Sequence, residues 1–423
     1  MKRKSKVLMI LLVGVMSSTY FMGCQKSNTE KKNNSGKTEV ELFSTKNAEN
    51  TEILKTLIGE FENVNTDITV KITSPSDAGT VLKTRLTKND IPDVLAMGGD
   101  ATFAELQKAG VLEDLSSQSY VGNLQDSYKK MVTDLYEDEG LYGAPYATNA
   151  SGVLYNKDIF EKAGVKVPKT WDEFIAAIEK LESAGIQPFE LTFKDTWTCL
   201  PAWNSLAPDL QPTNFTDDRK KNKTTFADTH EEIAEKYLKI LNYAQDDFMG
   251  TTYVDGNKAF AEGKAAMMIN GNWAISEFKK TNPNMNVDMF AFPSSNDSSK
   301  NYVTSGVDVL FAVAKDSKVK EAANKFVQFI MEKENAEKYA VNQFAFSAVK
   351  GVEQKDVALA GVKADIEAGK VANFPDHYYP AGFDLATLLS SFSLNETNGM
   401  DEKQNINEFL KMCDEAYNTA NVE

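Results

Sequence analysis

A tryptophan flanked by amide side chains follows a short apolar run in the segment Gly263–Lys280. Residues Ala265–Ile269 have the length and apolarity of a buried strand, and Asn270-Gly271 tolerates the positive φ of a tight turn. Asn272 stands where a helix N-cap belongs, and Trp273 opens a helical pattern. Ligands bind at the carboxyl ends of strands in open α/β sheets, so an aromatic face here could meet a ligand. On this segment alone, packing is the simpler interpretation, because tryptophan is highly buried on average.

Few residues could support covalent or metal chemistry. The only histidines are His230 and His377, and His230 lies at a predicted helix start, where a solvated position is expected. The sequence therefore offers few histidines that could take part in Ser-His-Asp catalysis or bind zinc. No GxxxxGK[ST] or GxGxxG motif is present, so a nucleotide cofactor is not predicted. The 61 acidic residues could supply a carboxylate pair for glycoside hydrolysis, but composition singles out no pair.

Charge and cysteine usage narrow the possible partners. The formal net charge is -15 and no basic stripe occurs, which argues against nucleic acid as a partner. Besides Cys24, the cysteines are Cys199 and Cys413, which could pair in an extracellular setting or remain two isolated buried thiols. No CxxC motif or Cys/His cluster suggests a metal.

The N-terminus has the pattern of a secretory signal. A basic start is followed by the apolar run Val7–Val15, which is too short to span a bilayer. Phe21-Met22-Gly23-Cys24 resembles the lipobox of bacterial lipoproteins, with Phe21 in place of the usual aliphatic residue. Residues 1–23 are thus predicted to be a signal peptide, Cys24 a lipidation site and 24–36 a flexible polar tether. The alternative is a cleaved, freely secreted protein.

The mature chain alternates predicted strands and helices, which favours mainly parallel, doubly wound α/β sheets. The full sequence of 423 residues is too long for one core and suggests two domains. In the clearest helix, Thr170 and Glu173 form a capping box and Gly185 ends the element. Further elements are predicted as strands at Glu39–Ser44, Ile68–Ile72, Ile91–Met97 and Val307–Val313, and as helices starting near Thr229 and spanning Val319–Met331.

Three segments together resemble a known family. They are Leu141–Lys157 followed by PKTWDEF, then Gly263–Ile275, and then Asn301–Val313. In this order they resemble the extracellular solute-binding proteins of carbohydrate ABC importers, the maltose-binding-protein-like family, in its Gram-positive lipoprotein form. The resemblance implies a type II periplasmic-binding-protein-like fold, with two α/β lobes joined by several crossings. Lobe 1 would comprise 37–148 and 306–343, and lobe 2 would comprise 149–305 and 344–423.

The resemblance also implies a ligand site between the lobes, where sugar rings need flat aromatic faces beside polar groups. Trp273 matches the family's aromatic platform; Trp197 lies near the second platform and Asp195 near its carboxylate, while Trp203 could be the second platform instead. Asp100 matches a ligand-binding Asp, with helix capping as the alternative, and Asp308 faces the cleft or stabilises the hinge. Further candidates are Asn270, Asn272, Ser44, Asn47, Tyr379, Phe383 and Asn149, the last replacing a Glu of maltose-binding members, which argues against maltose.

The implied function is a non-catalytic, lipid-anchored, monomeric receptor on the extracellular face of the membrane. It would capture an oligosaccharide, with malto-oligosaccharides and α-galactosides as the first expectation, and deliver it to the transmembrane subunits of an ABC permease. A surface glycoside hydrolase and a sensor that presents a ligand to a membrane kinase are the alternatives. The sugar, its linkage and its length are not determined by the sequence.

Overall fold

A computed structural model of the chain describes residues 36–421, apart from residues 47, 76 and 381. The predictions for the signal peptide, for Cys24 and for Asn47 therefore lie outside the described residues, as does the predicted tether except for Gly36. Among the helices of the described part, none has the length and apolarity needed to cross a membrane.

The strands are β1 (Thr38–Ser44), β2 (Ile68–Thr73), β3 (Val94–Met97), β4 (Ala144–Thr148), β5 (Ser151–Asn156), β6 (Gln187–Phe189), β7 (Ala265–Gly271), β8 (Val287–Phe290), β9 (Val303–Thr304), β10 (Val307–Val313), β11 (Phe346–Ser347) and β12 (Val371–Ala372). They form one sheet with the order β11-β4-β10-β3-β1-β2 and a second with the order β12-β9-β5-β7-β6, in which β8 also pairs with β5.

The helices are α1 (Ala48–Val64), α2 (Ala78–Thr87), α3 (Ala101–Lys108), α4 (Asp126–Thr133), α5 (Lys157–Ala163), α6 (Trp171–Ser183), α7 (Leu200–Leu210), α8 (Phe215–Lys220), α9 (Phe226–Thr229), α10 (Glu231–Leu241), α11 (Tyr253–Ala261), α12 (Ile275–Thr281), α13 (Lys320–Ile330), α14 (Lys333–Asn342), α15 (Ala360–Glu367), α16 (Leu385–Thr397) and α17 (Glu402–Ala420).

One hydrophobic core surrounds the first sheet and two lie against the second, and we call each sheet with its core or cores a lobe. In lobe 1, β1, β2 and β3 run parallel, as predicted for a doubly wound sheet. The strands β10 and β4 are antiparallel to their neighbours, because each lies at a point where the chain passes between the lobes. In lobe 2, β7 runs antiparallel to β5 and parallel to β6. Both sheets are therefore mixed, while the two-lobed α/β architecture is that predicted.

The third passage between the lobes differs from the predicted boundary at 343/344. The strand β11 pairs with β4 in the first sheet, with Phe346 opposite Thr148 and Ser347 opposite Ala147. Ala348 and Val349 continue into the core of lobe 1. The chain thus stays with the first sheet beyond residue 343, because the backbone of β11 completes the edge next to β4.

Local sequence signals account for several helix ends. The predicted capping residue of α6 is confirmed, since the Thr170 hydroxyl accepts a hydrogen bond from the Glu173 amide. The Glu173 carboxylate accepts from the amide of Lys169 at 2.7 Å, one residue earlier than a standard capping box. Gly185 follows with φ +71°, a conformation that suits glycine.

The helix predicted to start near Thr229 is α10, which begins at Glu231, but Thr229 does not cap it. Thr225 caps the short helix α9, and Thr229 is its last residue. His230 is fully buried and lies against the rings of Trp203, Phe215 and Phe226, so the prediction of a solvated histidine is also wrong. Burial in this aromatic cluster lowers the pKa of His230 to about 3.

The tertiary structure decides whether the two cysteines form a disulfide or remain isolated thiols. Cys199 and Cys413 are both buried free thiols within the core of lobe 2. Burial raises the pKa of the Cys199 thiol to about 12, which keeps it protonated and unreactive at neutral pH.

Candidate functional site

The two sheets present facing edges where the chain passes between the lobes. In lobe 1, β1 and β3 end where β10 begins, since Gly99 donates its amide proton to the Val307 carbonyl oxygen at 3.0 Å. In lobe 2, β5 begins opposite the end of β7, with Ser151 paired to Gly271 and also to Thr304 of β9. Side chains that follow these strand ends therefore converge between the lobes, where open α/β sheets bind ligands.

Two asparagines join the passages between the lobes. The Asn149 side-chain oxygen accepts from the Gly306 amide at 3.0 Å, and the backbone amide of Asn149 donates to the Gly306 carbonyl oxygen at 3.2 Å. The Asn272 side-chain oxygen accepts from the Ala150 amide at 2.6 Å, and its Nδ2 donates to the Phe344 carbonyl oxygen at 2.9 Å. The predicted helix cap at Asn272 is wrong, because both ends of its side chain bind neighbouring backbone segments instead.

These contacts place both asparagines in the hinge. Asn272 is almost fully buried with its amide group satisfied, so we assign it to holding the passages and not to ligand contact. Asn270 is also buried, and its side-chain oxygen accepts from the neighbouring Gly271 amide at 2.9 Å. The predicted ligand contacts of Asn270 and Asn272 are therefore replaced by structural roles close to Trp273.

Trp273 lies half-buried in the 3₁₀ turn Asn272–Ala274, between β7 and α12. Its ring lies against the backbone of Gly271, where an added Cβ would come within 2.1 Å of the ring. Only glycine permits this approach. The indole Nε1 is buried without a hydrogen-bond partner among the described residues. Trp273 thus packs one part of its ring on lobe 2 and leaves another part accessible.

Trp197 forms a second aromatic surface on lobe 2. Its side chain is 41% exposed and contacts the ring of Tyr253, with ring centroids 4.9 Å apart. Asp195 supports this pair, since its Oδ2 accepts from the Tyr253 amide at 2.6 Å. Of the two tryptophans predicted as candidates for the second platform, Trp197 is the one with an exposed face. Asp195 positions Tyr253, against which Trp197 packs.

Three predicted ligand contacts lie inside the core of lobe 2 instead. Trp203 is fully buried, with its ring 5.3 Å from that of Phe409. Tyr379 and Phe383 are buried beside Phe226 and each other. These predictions are wrong because all three rings pack into the interior of lobe 2, Trp203 against α17 and Tyr379 and Phe383 against α9.

Some polar groups at the edge of lobe 1 are used in hydrogen bonds or ion pairs within the protein, and others are available to a ligand. Asp100 caps α3 through Oδ1, which accepts from the amides of Thr102 at 2.9 Å and Phe103 at 3.2 Å. Its Oδ2 accepts no hydrogen bond from another described residue and is available to a ligand. Asp308 is paired with Lys46, whose Nζ lies 3.0 Å from Oδ1.

Lys46 itself was not predicted as a site residue. Its backbone amide donates to the hydroxyl oxygen of Ser44 at 3.1 Å, and Ser44 is fully buried. Ser44 is therefore a support for the turn after β1 and not an exposed ligand contact. Ser44 does lie at the end of a strand, as predicted. Its side chain is buried because of the packing of lobe 1, which the sequence does not indicate.

Sequence reasoning also missed a polar group in the turn Pro375–Tyr378. Asp376 accepts a hydrogen bond from Asn204 Nδ2 at 2.9 Å, and His377 follows it. This turn lies beside the hinge, because a Cβ on Gly306 would come within 2.6 Å of Asn373 and 3.2 Å of His377. Burial raises the pKa of Asp376, and the charge of Asp100 raises it further. The sequence analysis selected this segment for Tyr379 and Phe383, and it did not include Asp376, which lies a few residues earlier.

The arrangement suits the binding of a neutral polar molecule. Trp273 and Trp197 supply aromatic faces, while Asp100 and Asp376 supply hydrogen-bond acceptors from opposite lobes. Among the residues that the structure describes, no group of three or more His, Cys, Asp or Glu side chains could hold a metal ion.

Two α/β lobes with convergent aromatic and acidic groups between them define a solute receptor of the binding-protein class. Residues 47–337 match the family of bacterial extracellular solute-binding proteins, and the chain belongs to this family. The predicted family, fold class and solute-binding function are thereby confirmed.

Relatives of known identity support this membership. The Multiple sugar-binding protein of Streptococcus mutans is 32% identical over 366 residues, which span 84% of this chain and 85% of its own. The structure of RafE in complex with raffinose has a TM-score of 0.77 at 27% identity and covers 91% of this chain and 100% of its own; apo RafE from Streptococcus pneumoniae gives the same score. A Bacillus licheniformis sugar transporter in complex with stachyose shares the fold, with a TM-score of 0.72 at 20% identity, over 89% of this chain and 100% of its own.

Proposed function

We propose that this protein is the substrate-binding component of a sugar ABC importer and that it captures an α-galactoside oligosaccharide, such as raffinose, between its lobes. The observation that carries the proposal is the pair of tryptophans, Trp273 and Trp197, presented by lobe 2 opposite the acidic edge of lobe 1. The names of its relatives, a multiple sugar-binding protein and RafE bound to raffinose, support this ligand class. Malto-oligosaccharides remain the second class to screen.

The proposed contacts follow from the surface of a sugar ring. Its C–H face packs on the accessible part of Trp273, and a further ring of the chain packs on Trp197 near the rim. Hydroxyl groups donate to the carboxylates of Asp100 and Asp376, which act as acceptors when ionised. Closure of the lobes around the hinge at Asn149 and Asn272 removes the sugar from water and completes the site.

We propose a non-catalytic role for this cleft. One carboxylate oxygen of Asp100 already accepts two backbone hydrogen bonds as the cap of α3, which gives Asp100 a structural role that needs no proton transfer. The proposal also includes a lipid anchor at Cys24, an extracellular location, a monomeric state and docking of the closed form to permease subunits. Release of the sugar to the permease then requires only opening of the lobes.

A thermal-shift screen with calorimetry tests the ligand class. Raffinose and stachyose are expected to raise the unfolding temperature, because a ligand at 100 times its Kd adds about 2.7 kcal/mol to the free energy of unfolding. Small-angle scattering should show a smaller radius of gyration with the bound sugar, and chromatography should show the sugar intact. Cleavage products would favour the hydrolase, and absence of binding to any neutral oligosaccharide would refute the proposed function.

A further inference from the structure

Helix α4 of lobe 1 begins at the third passage between the lobes. Gln125, the residue before α4, donates its backbone amide proton to the Ala348 carbonyl oxygen at 2.8 Å. Its Nε2 donates to the carbonyl oxygen of Ser347, the last residue of β11, at 2.7 Å. The start of α4 is therefore fixed to one of the segments by which the chain passes between the lobes.

One turn further along α4, the Tyr128 hydroxyl contacts the second passage, where β9 leads into β10. Tyr128 is only 1% exposed, and its hydroxyl oxygen lies 3.0 Å from Ser305 Oγ. Ser305 Oγ donates its proton to the Asn149 carbonyl oxygen at 2.6 Å. Because a serine hydroxyl carries a single proton, Tyr128 is the donor in its bond to Ser305. A chain of hydrogen bonds thus runs from α4 through the second passage to Asn149 in the first.

The two hydroxyl groups belong to different lobes. Ser305 follows β9 of the second sheet, and its backbone amide donates to the carbonyl oxygen of Ala372 in β12 at 2.8 Å. Tyr128 is part of the core of lobe 1. Rotation of one lobe relative to the other therefore changes the distance between the two hydroxyl oxygens. Both residues are buried, so separating them would leave a polar group without water to replace its partner.

A second contact joins the same part of lobe 1 to lobe 2, but it is weak. Lys220 Nζ, at the end of α8, lies 3.9 Å from the carboxylate of Glu137, which follows α4. The two side chains are 63% and 94% exposed. Exposed ion pairs contribute little, because both charges remain solvated whether or not they meet. Of the two contacts, the buried hydroxyl chain therefore has the larger effect on the arrangement of the lobes.

We propose that α4 sets the angle between the lobes and that Tyr128 is the positioning residue through which it acts, by way of Ser305. The bond favours the arrangement in which it is made, so its removal shifts the equilibrium between the open and closed forms. Tyr128 needs no contact with the sugar, because a change in the closed fraction changes the apparent Kd by the same factor. Only this effect on affinity rests on the proposed function, since the hinge contact can be tested on the empty protein.

Hydrogen exchange of the empty protein tests the contact at the hinge. The reporters are the backbone amides of Asn149 and Gly306, each of which is hydrogen-bonded to the other residue. We expect Tyr128→Phe to speed their exchange about 3- to 10-fold, which corresponds to the net contribution of one hydrogen bond. Unchanged exchange at these two amides would overturn the proposal.

Tyr146→Phe is the matched control. Tyr146 is also 1% exposed in lobe 1, and its hydroxyl donates to the Asn335 carbonyl oxygen at 3.2 Å within the same lobe. Both variants lose one buried hydroxyl and one hydrogen bond, but only Tyr128→Phe loses a bond to the hinge. Equal acceleration of the hinge amides in the two variants would show a general loss of stability and would contradict the proposal.

Calorimetric titration with raffinose tests the effect on the lobes. We expect the Kd of Tyr128→Phe to differ from that of the wild type by about 3- to 10-fold, while Tyr146→Phe keeps the wild-type Kd. Tighter binding would show that the bond belongs to the open form, and weaker binding that it belongs to the closed form. An unchanged Kd beside faster hinge exchange would overturn the role in setting the lobe angle. A wild-type protein that binds no neutral oligosaccharide would overturn the proposed function, and the hinge-exchange result would still decide the contact.

A double-mutant cycle tests the route through Ser305. If Tyr128 acts by way of Ser305, Tyr128→Phe should change neither the hinge exchange nor the Kd further when it is added to Ser305→Ala. Additive effects of the two substitutions would show that Tyr128 acts by another route and would contradict this part of the proposal.

Discussion

At the scale of single residues, the four tryptophans show how much environment decides function. Trp203 is enclosed in the core of lobe 2, and Trp171 packs at the start of α6 with Lys236 5.0 Å above its ring. Trp197 is exposed on Tyr253, and Trp273 is half-buried against Gly271. The same side chain therefore serves packing at two positions and presents an aromatic face at the other two.

Replacement of Trp273 by alanine should weaken oligosaccharide binding by about 2–4 kcal/mol, which corresponds to roughly 30- to 1,000-fold in Kd. The reason is the loss of the aromatic surface on which the sugar ring packs. Calorimetric titration with raffinose measures the change. Trp171→Ala is the control and should leave Kd unaltered, because Trp171 packs on α6 and Lys236. A Kd for Trp273→Ala equal to that of the wild type would remove Trp273 from the site.

At the scale of elements, the third passage between the lobes contains a strained residue. Phe344 lies between α14 and β11 with φ +51°, a left-handed conformation that is unfavourable for a bulky side chain. Asn272 holds this residue in place by donating from Nδ2 to its carbonyl oxygen at 2.9 Å. The turn that carries Trp273 is thereby connected directly to the hinge.

A pair of substitutions isolates the strain at Phe344. Both Phe344→Gly and Phe344→Ala lose the ring, but glycine adopts positive φ without the Cβ penalty of about 1–2 kcal/mol. We expect Phe344→Gly to be more stable than Phe344→Ala by about 1 kcal/mol in urea denaturation. At Ala176, on the exposed face of α6, the order should reverse and Ala176→Gly should lose about 1 kcal/mol. Greater stability of Phe344→Ala would show that the backbone at 344 is unstrained.

At the scale of the whole molecule, lobe 2 buries ionisable groups whose charge depends on pH. Burial raises the pKa of Glu190 to about 7, with Lys264 acting weakly in the opposite direction. Glu190 lies between β6 and Asp195, and its carboxylate accepts a hydrogen bond from the side chain of Gln245 at 3.2 Å. Burial also raises the pKa of Asp209 to about 7, while it lowers that of His230.

The stability contributed by Glu190 should decrease as pH rises. Its folded pKa lies above the unfolded value, so the folded state binds more protons between pH 4.5 and 7, and the contribution is lost as pH passes through 7. Glu190→Gln removes this dependence. Relative to the wild type, its free energy of unfolding should increase by about 2 kcal/mol between pH 5 and pH 8.

Urea denaturation at the two pH values gives this difference directly. Comparison with the wild type cancels the contributions of Asp209 and His230, which both proteins retain. Glu179→Gln, on the exposed face of α6, is the control and should give the same difference at both pH values. A Glu190→Gln curve parallel to that of the wild type would show that Glu190 is solvated in the folded protein.

Much of the architecture could be predicted from sequence patterns. The capping residue Thr170, the strand–helix alternation and the three segments that resemble the family predicted α6, the α/β class and the two-lobed fold. These features depend on residues close in sequence, whose spacing specifies hydrogen bonds and apolar faces within one element. The capping of α3 by Asp100 belongs to the same category, because an Asp immediately before a helix is a local signal for its start.

The tertiary structure alone decided which polar and aromatic groups reach the cleft. Asn272 meets Ala150 across 122 residues, and Asn204 meets Asp376 across 172, so no local spacing indicates either contact. Trp203, Tyr379 and Phe383 resemble ligand contacts by type and position, yet helices from distant parts of the chain cover them. Burial is a property of the elements that meet in space, and for this reason the sequence determined the lobes while their packing determined the site.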